Sequence, residues 1–251
     1  MEKELVCGIP RLYLEHRLGR GDCTGCQYPT TARIVYEVLD EMGIGDDTIL
    51  VSSAACGGGI MITSKIDTIQ PNHGQGTDAA AAVKHVRPDS IVLAYGGDGD
   101  IAAIGCGAFI NAAGRADKFT TIMVNNGHYA MTGGQLAPTT LMGQVTTTTP
   151  LGRNPGEGYT MHIPEMIATM KGVAYSARGA VHTPAHYQRT KKYLKTALQK
   201  QLDNVGFSFL EILSTCPTGW HVSPLESLKW VEEKMIPELP LGEFKNVDRL
   251  D

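Results

Sequence analysis

An apolar run that ends in a glycine-rich turn constrains the fold of this chain more than any other feature. Residues 90–95 have the length and apolar character of a buried strand, and residues 101–111 form a small-residue segment of helical character. Between them lies Gly96-Gly97-Asp98-Gly99-Asp100. A glycine turn between a parallel strand and a helix offers unpaired N–H groups that bind phosphate. The pattern therefore predicts a strand–turn–helix unit of an α/β sheet, with an anion site at its turn.

Asp98 is the unexpected residue of this turn, because a carboxylate would repel a phosphate. The two anions become compatible if a divalent cation lies between them. A second apolar run, residues 119–124, is followed by Asn125-Asn126-Gly127, which brings neutral oxygen donors to the carboxyl end of the next strand. We therefore expect Asp98 to hold a divalent cation that in turn holds a diphosphate.

A dinucleotide-binding fingerprint is the alternative interpretation of the same turn. Gly97-x-Gly99-x-x-Ala102 has the spacing of that fingerprint, and Asp117 follows at about the distance of its ribose-binding acid. A single match of this kind is weak evidence. It also leaves Asp98 and the two asparagines without a role.

The rest of the chain alternates strand-like apolar runs with segments of helical periodicity. This is typical of an α/β protein with a mostly parallel sheet and helices on both faces, and we expect one domain over residues 1–251. Residues 127–159 have little periodicity, so we expect them over the site or at an interface. The predicted helices are residues 30–42 (ended by Gly43), 77–85, 184–202 and 224–234, the further strands are residues 48–53, 172–177 and 206–214, and Gly57-Gly58-Gly59 is a predicted loop.

Composition narrows the classes of protein to which this chain can belong. Its 251 residues, 42% of them apolar, suffice for one sizeable core. The formal net charge of −4 argues against nucleic acid as a main partner. We find no apolar run long enough for a membrane span and no secretory signal after Met1, so we expect a cytoplasmic protein with reduced thiols.

Four of the six cysteines fall at positions that an α/β fold would bring together. They are Cys23 and Cys26 in a C-x-x-C pair, Cys56 after the first strand and Cys216 after the last long strand. Such a set suits tetrahedral zinc or a [4Fe–4S] cluster, and plain buried thiols are the third possibility. Cys7 and Cys106 lie outside this pattern, and Cys106 is most simply a core residue.

Several segments together resemble the β-subunit of 2-oxoacid:ferredoxin oxidoreductases over about residues 15–240. They are Cys23-x-x-Cys26, Cys56, Gly97-Asp98-Gly99, Asn125-Asn126-Gly127-His-Tyr129, Thr132-Gly-Gly-Gln135, Thr149-Pro-Leu-Gly-Arg-Asn-Pro155 and Cys216-Pro-Thr-Gly-Trp220. The resemblance implies thiamine diphosphate, with Mg²⁺ bound by Asp98, by the Asn126 side chain and by the backbone carbonyl of His128. It also implies a [4Fe–4S] cluster close to the thiamine, held by Cys23, Cys26, Cys56 and Cys216.

The resemblance also implies further contacts with the cofactor. The residues concerned are Ala54, Ala55, Cys56, Gly57, Gln75, Gly97, Gly99, Asp100, Ala130, Met131 and His221. His73 and His221 are the candidates for a direct part in the chemistry. Arg153 and Asn154 could bind a carboxylate or a phosphate of coenzyme A. Gln75 and Gly219 depart from the family, which often has arginine and asparagine there.

The activity that the resemblance implies is oxidative decarboxylation. A 2-oxoacid and coenzyme A would give an acyl-CoA, CO₂ and reduced ferredoxin, with a branched-chain acid such as 2-oxoisovalerate expected first and 2-oxoglutarate second. The implied partners are an α-subunit with the pyrimidine-binding domain, a γ-type subunit, a ferredoxin-like δ-subunit and external ferredoxin. The chain is therefore expected to be inactive alone, and residues 127–159 and the Pro-containing last dozen residues are candidates for the contact surface.

Two other functions remain open on the sequence alone. One is a non-redox thiamine-dependent lyase or synthase whose cysteines hold structural zinc. The other is a cluster-bearing electron-transfer subunit with a vestigial thiamine fold. Iron–sulfur absorption that bleaches on addition of a 2-oxoacid and coenzyme A would separate the oxidoreductase from both.

Overall fold

The computed structural model describes residues 8–14 and 22–250, and a seven-stranded sheet is its framework. The strands are β1 (Thr48–Ser52), β2 (Asp67–Ile69), β3 (Ile91–Gly97), β4 (Thr120–Asn125), β5 (His128–Tyr129), β6 (Gln135–Leu136), β7 (Val173–Ala180), β8 (Phe207–Leu213) and β9 (Gly242–Asn246). The order across the main sheet is β2-β1-β3-β4-β8-β7-β9, and β5 pairs with β6 apart from it. All pairings of the main sheet are parallel except that of β9 with β7, which confirms the predicted α/β class.

Helices cover both faces of the sheet. They are α1 (Tyr28–Met42), α2 (Gly59–Ile62), α3 (Gly76–Val86), α4 (Cys106–Gly114), α5 (Ile163–Ala168), α6 (Pro184–Leu202), α7 (Pro217–Trp220), α8 (Pro224–Trp230) and α9 (Ile236–Glu238). The core on one face lies under α1 and α6, and the core on the other lies under α3, α4 and α5. Within β3, Leu93 and Tyr95 belong to the first core while Val92 and Ala94 belong to the second, as in a strand buried on both faces. None of the helices in the described residues has the length and apolarity to cross a membrane.

Most predicted elements are confirmed to within a few residues. The helix α6 covers the predicted residues 184–202, because Thr183 caps its N-terminus with a hydrogen bond to the His186 amide and Pro184 opens its first turn. The helix α1 ends where expected, since Gly43 takes a left-handed φ of 71°.

One prediction next to the glycine-rich segments was wrong, and another was right about a helix but missed its π-helical start. The predicted loop at residues 57–59 lies in a 3₁₀ turn (Ala55–Gly58) that runs into α2. The predicted helix at residues 101–111 is a π-helical segment, Gly99–Ile104, followed by α4. Neither feature has a periodic signature in sequence, and a π-helical turn of this kind often marks a functional site.

The C-terminal prediction needs a correction. The predicted helix at residues 224–234 is α8 followed by a π-helical turn, Val231–Met235. The tail, a candidate contact surface, forms β9, which pairs antiparallel with β7 at the edge of the chain's own sheet, and its contact with a partner stays a prediction. The backbone hydrogen bonds of β9 on the β7 side are therefore made within the chain.

An ion-pair network with a fully buried centre, Arg178 and Glu211, ties the sheet to the segments around it. The Arg178 Nε donates to Glu211 Oε2 at 2.5 Å, and both side chains are 0% exposed. The two terminal nitrogens of the guanidinium each donate to the Glu165 carboxylate at 2.7 Å. The other oxygen of Glu211 accepts from the Asn125 amide at 2.6 Å, so the network ends at the asparagine pair after β4.

Removing Glu211 is expected to be strongly destabilising. Glu211→Ala leaves one buried cation facing only Glu165, and we expect a loss of about 3–5 kcal/mol in the free energy of unfolding. Chemical denaturation monitored by circular dichroism measures it. Lys195→Ala is the control, because its ion pair with Glu41 is half-exposed and is worth less than about 1 kcal/mol. Equal destabilisation by the two substitutions would contradict a structural role for the buried network.

Candidate active site

The carboxyl ends of four neighbouring parallel strands meet at one edge of the sheet. The segments that follow them are the 3₁₀ turn after β1, the glycine turn after β3, residues 125–128 after β4, and the loop to Cys216 after β8. Because β1, β3, β4 and β8 are consecutive in the sheet, these segments lie side by side. Ligands of open α/β sheets bind at this place.

Three oxygen atoms converge at the end of β4. The oxygen end of the Asn126 amide lies 2.8 Å from the carbonyl oxygen of His128 and 3.2 Å from Asp98 Oδ1. If the amide were rotated, its nitrogen would donate hydrogen bonds to both of these oxygens. In the present orientation Asn126 Oδ1 accepts a long hydrogen bond of 3.4 Å from the His128 N–H, and this bond favours the orientation in which the oxygen faces the other two oxygens. In this orientation no proton lies between the three oxygens, and a bound cation would compensate their repulsion. A carboxylate, an amide oxygen and a carbonyl are the hard ligands that Mg²⁺ prefers, so the residues present fit that ion.

Asp98 is the anionic member of this group and lies out of contact with water. Its residue is 1% exposed, and burial raises the pKa of its carboxyl to about 7. Its Oδ2 accepts a short hydrogen bond from the Thr139 hydroxyl. A buried carboxylate either binds a proton or is neutralised by a cation. A divalent cation at the three oxygens would keep Asp98 ionised at neutral pH.

The turn after β4 is held in place from two sides. The side-chain oxygen of Asn125 accepts from the Gly127 N–H at 2.8 Å, while its amide donates to the buried Glu211. On the other side, the Trp220 indole N–H donates to the backbone carbonyl of Asn126 at 3.0 Å. These bonds orient the backbone that carries the Asn126 side chain and the His128 carbonyl.

Most of the predicted cofactor residues line one niche. It lies beside the three oxygens of Asp98, Asn126 and His128, hereafter the oxygen group. The niche is lined by Ala54, Ala55, Cys56, Gly57, His73, Gly97, Asp98, Gly99, Asp100, Asn126, His128, Ala130 and Met131, together with Tyr28, Ser53 and Tyr129. A Cβ on Gly99 would lie 2.3 Å from the Tyr129 ring, so no larger residue fits there without displacing the ring. Ala55 has a φ of 67°, which is strained for a residue with a side chain.

Two of the predicted residues lie outside the niche. Gln75 caps α3, is exposed and does not line the niche, so its predicted diphosphate contact stays a prediction. His221 has a left-handed φ of 55° and lines the neighbouring, larger cavity. His73 does reach the niche, and its Nδ1 makes a short contact with the Asp100 carboxylate, which also accepts from the Gly74 N–H at 2.8 Å.

Cys23, Cys26, Cys56 and Cys216 all line one cavity of about 790 Å³. Among the described residues, no three of these sulfurs lie within 4.8 Å of one another. Tetrahedral zinc, with Zn–S bonds of about 2.3 Å, would bring the sulfurs to about 3.8 Å. The described sulfurs are therefore not in the tight arrangement of an assembled zinc site.

Burial makes the thiols of Cys26, Cys56 and Cys216 poor anions in the absence of a metal. It raises the pKa of the Cys26 thiol to about 12 and that of Cys216 to about 11, and the neighbouring thiols add to both effects. Burial raises the pKa of Cys56 as well. Because thiolates are the ligands of iron and zinc, a bound cation would have to stabilise their charge here. Cys106 opens α4 and does not line this cavity, and Cys7 lies outside the described residues.

The imidazole of His128 occupies the space between the oxygen group and the cysteines. Burial lowers its pKa to about 4, so the ring is neutral, and its Nε2 is buried without a hydrogen-bond partner. A Cβ on Gly219 would lie 2.3 Å from Cε1 of this ring and 3.0 Å from the Cys216 sulfur. Glycine at position 219, where the family often has asparagine, is therefore matched to this position of the His128 ring.

Comparison with known proteins decides the family. Residues 60–212 match the model of the thiamine pyrophosphate enzyme, C-terminal TPP binding domain. The 2-oxoglutarate synthase subunit KorB of Methanocaldococcus jannaschii is 34% identical over 228 residues, which cover 88% of this chain and 80% of the relative. This chain belongs to the β-subunits of the 2-oxoacid:ferredoxin oxidoreductases. It therefore carries a thiamine pyrophosphate-binding domain.

Other relatives of this β-subunit differ in substrate and length. The ketoisovalerate oxidoreductase subunit VorA of Methanothermobacter thermautotrophicus is 33% identical over 225 residues, which cover 89% of this chain but 47% of the relative. The chain thus spans about half the length of that relative. The fold matches the 2-oxoglutarate:ferredoxin oxidoreductase of Magnetococcus marinus, solved with 2-oxoglutarate, coenzyme A and succinyl-CoA, with a TM-score of 0.77 at 22% identity over 94% of this chain and 84% of that one.

Arg153 of the β-subunit braces a loop, and all three nitrogens of its buried guanidinium donate to backbone carbonyls. Its guanidinium donates to the backbone carbonyls of Pro138 at 3.0 Å, Gly158 at 2.9 Å and Tyr159 at 2.7 Å, and to those of Ala137 and Thr140. Asn154 caps the 3₁₀ turn that follows. The suggestion that these two residues bind substrate or coenzyme A is therefore not supported, and Arg153 instead organises residues 137–159.

The dinucleotide alternative also fails on geometry. Asp117 precedes β4, at the opposite edge of the sheet from the glycine turn, and pairs with Arg115 at 2.7 Å. It cannot reach a ligand bound near Asp98.

Three residues of the β-subunit site were missed by sequence reasoning. Thr139 donates to Asp98, Glu211 holds Asn125, and Tyr28 lines the niche. Glu211 could have been singled out from the sequence, because a lone acid inside the apolar strand β8 must have a buried partner. Nothing in the sequence distinguishes Thr139 or Tyr28 in this way.

Proposed function

We propose that this β-subunit binds thiamine diphosphate through Mg²⁺, holds a [4Fe–4S] cluster beside it, and serves the oxidative decarboxylation of a 2-oxoacid with coenzyme A to acyl-CoA, CO₂ and reduced ferredoxin. The observation that carries the proposal is that the niche and the cysteine cavity share part of their lining. Ala55, Cys56, Asn126 and Met131 line both the niche beside the oxygen group and the cavity of the four cysteines. A cofactor in the niche and a cluster in the cavity would thus be neighbours, as electron transfer between them requires.

The oxygen group is the proposed Mg²⁺ site. Asp98 contributes the charge, while the Asn126 side chain and the His128 carbonyl complete the ligands that this chain supplies. When bound, thiamine diphosphate supplies the carbanion chemistry of decarboxylation, and the protein supplies orientation and electrostatics. The hydrogen bonds of Thr139 and Asn125 orient the ligand atoms toward the ion. Tyr129 closes over Gly99, which limits the access of water to the diphosphate side.

A cluster rather than zinc is proposed for the cysteines, because no three of the described sulfurs lie within 4.8 Å of one another, whereas zinc would bring its sulfur ligands to about 3.8 Å. This favours the redox enzyme over a non-redox lyase with structural zinc. The described cysteines are free thiols, which is consistent with a reducing cytoplasm as the place where the enzyme works.

The lining of the niche supports an apolar 2-oxoacid as substrate. None of the described residues that line it is lysine or arginine, and Ala54, Ala55 and Met131 are among them. A second carboxylate, as in 2-oxoglutarate, would find no cationic partner on this chain. We therefore propose a branched-chain acid such as 2-oxoisovalerate. An acyl-CoA product assay on the assembled complex should give at least about tenfold higher kcat/KM for 2-oxoisovalerate than for 2-oxoglutarate, and the reverse order would contradict the assignment.

Partner subunits are proposed to cover residues 127–159 and the rim of the niche. Large apolar side chains are exposed there, namely Ile104, Met131, Val145, Leu151 and Tyr159, and Leu151 is 97% exposed. An apolar patch of this kind marks an interaction surface. The proposed partners are an α-subunit with the pyrimidine-binding domain, a γ-type subunit and a ferredoxin-like δ-subunit, with external ferredoxin as acceptor. The interface of an obligate complex would bury roughly 2,000 Å² or more.

The chain is expected to be inactive by itself, because thiamine chemistry also needs the pyrimidine-binding domain. The test is 2-oxoacid-dependent dye reduction with thiamine diphosphate, Mg²⁺ and coenzyme A, by the isolated chain and by the complex. We expect turnover by the complex alone. Turnover by a monodisperse monomer would refute the shared active site, while an inactive complex that retained iron and thiamine would refute the proposed reaction.

A further inference from the structure

A cluster of three ligating side chains lies away from the niche and the cysteine cavity. His182 follows β7, His186 stands in the first turn of α6, and Glu232 lies in the π-helical turn Val231–Met235. Each offers one ligand atom, and these three atoms lie within 4.8 Å of one another. The two imidazole rings are 4.6 Å apart between centroids with 33° between their planes.

His182 is buried but incompletely satisfied. Its side chain is 2% exposed, its Nε2 lies 2.5 Å from Glu232 Oε2, and its Nδ1 is buried with no hydrogen-bond partner. Because Nδ1 makes no bond that would require it to be the acceptor, the ring can carry its proton there and offer the lone pair of Nε2 to a cation between His182 and Glu232. A cavity of about 330 Å³ lies against His182 and gives access to it.

His186 is oriented as metal-binding histidines usually are. Its Nδ1 lies 3.2 Å from the Thr183 hydroxyl, so Nε2 is the nitrogen left free. Metal-ligating histidines commonly have the second nitrogen held in this way. The Glu232 side chain, 56% exposed, can move to open the short contact with His182 to a metal-bridged distance.

We propose that His182, His186 and Glu232 form a site for a divalent transition metal such as Zn²⁺. Two neutral imidazoles and one carboxylate are a known zinc donor set and leave a fourth position open. The ion would join the loop after β7 to the C-terminal helical segment. Trp230, two residues before Glu232, packs on Trp220, whose indole holds the Asn126 carbonyl. The site would thus brace the outer wall of the thiamine site.

Zinc binding to the anaerobically purified complex tests this site, with the cysteine cluster intact and Mg²⁺ present. After equilibration with Zn²⁺ and desalting, metal analysis should find one more equivalent of zinc per chain in the wild type than in His182→Gln/His186→Gln. Glu232→Gln, at an exposed position, should raise the Kd for Zn²⁺ at least about tenfold without affecting the fold. His162→Gln is the matched control, because His162 also lies between two glutamates, at 3.5 and 3.4 Å, but without a second imidazole.

X-ray absorption at the zinc edge identifies the ligands and excludes the cysteines. We expect nitrogen and oxygen neighbours at about 2.0–2.1 Å and no sulfur at about 2.3 Å. Equal zinc content in the wild type and the folded double variant would overturn the proposal, as would sulfur ligands or an unchanged Kd in Glu232→Gln. Loss of zinc in His162→Gln would also count against it.

Discussion

Asp98→Asn is expected to lose thiamine diphosphate during purification while the chain remains folded. Asparagine keeps the shape of the side chain and its acceptor for Thr139 but removes the charge that attracts the cation. For charges about 4 Å apart at the edge of a protein, that attraction is worth about 4 kcal/mol, or roughly 1,000-fold in affinity. Thiamine and Mg²⁺ content of the purified complex, measured by fluorescence of the oxidised cofactor and by metal analysis, gives the result.

Two comparisons make this experiment specific. Asp117→Asn removes a buried acid that pairs with Arg115 at the other edge of the sheet, and it should retain full thiamine content. The Asp98→Asn fold should be no less stable than the metal-free wild type above pH 7, because burial raises the Asp98 pKa to about 7 and the ionised carboxyl weakens the folded state as the pH rises through that value. Full thiamine content in folded Asp98→Asn would show that the metal assignment is wrong.

Cys→Ser at any of positions 23, 26, 56 and 216 is expected to lower iron content and acceptor reduction together. Thiolates hold the cluster, and loss of one ligand exposes iron to exchange and oxidation. Cys106→Ser is the matched control and should keep its iron, since Cys106 does not line the cavity of the other four. Iron and acid-labile sulfide per chain, with electron paramagnetic resonance of the reduced protein, are the measurements. About one zinc and no iron in anaerobically purified wild type would contradict the cluster.

The parts of the site that could be predicted are those in which local sequence determines local structure. The strand β3 is a continuous apolar run buried on both faces, and the glycines at and after its end let neighbouring groups approach closely around the turn that carries Asp98. Asn125 and Asn126 follow the neighbouring strand β4, so parallel pairing alone puts them beside that turn. The helix α6 has a capping threonine and a proline in the right positions, which is why its bounds were predicted correctly.

The parts that could not be predicted depend on contacts between distant segments. The strand β9 has partly exposed residues and exists because the edge of β7 was available to pair with it. Arg153 looked like a ligand-binding residue, and only the folding of residues 137–159 around its guanidinium turned it into a brace. Thr139 is one of many threonines in its segment, and nothing local distinguishes it as the partner of Asp98.

The neighbouring thiamine and cluster sites are tested most directly by one spectroscopic measurement on the native complex. The chain would be tagged in its source organism, purified anaerobically with the subunits that accompany it, and mixed with a 2-oxoacid and coenzyme A in the absence of ferredoxin. We predict that the visible iron–sulfur absorbance bleaches, that bleaching requires thiamine diphosphate and Mg²⁺, and that added ferredoxin restores the absorbance. A complex that contains thiamine and iron but shows no bleaching with any 2-oxoacid would contradict the account.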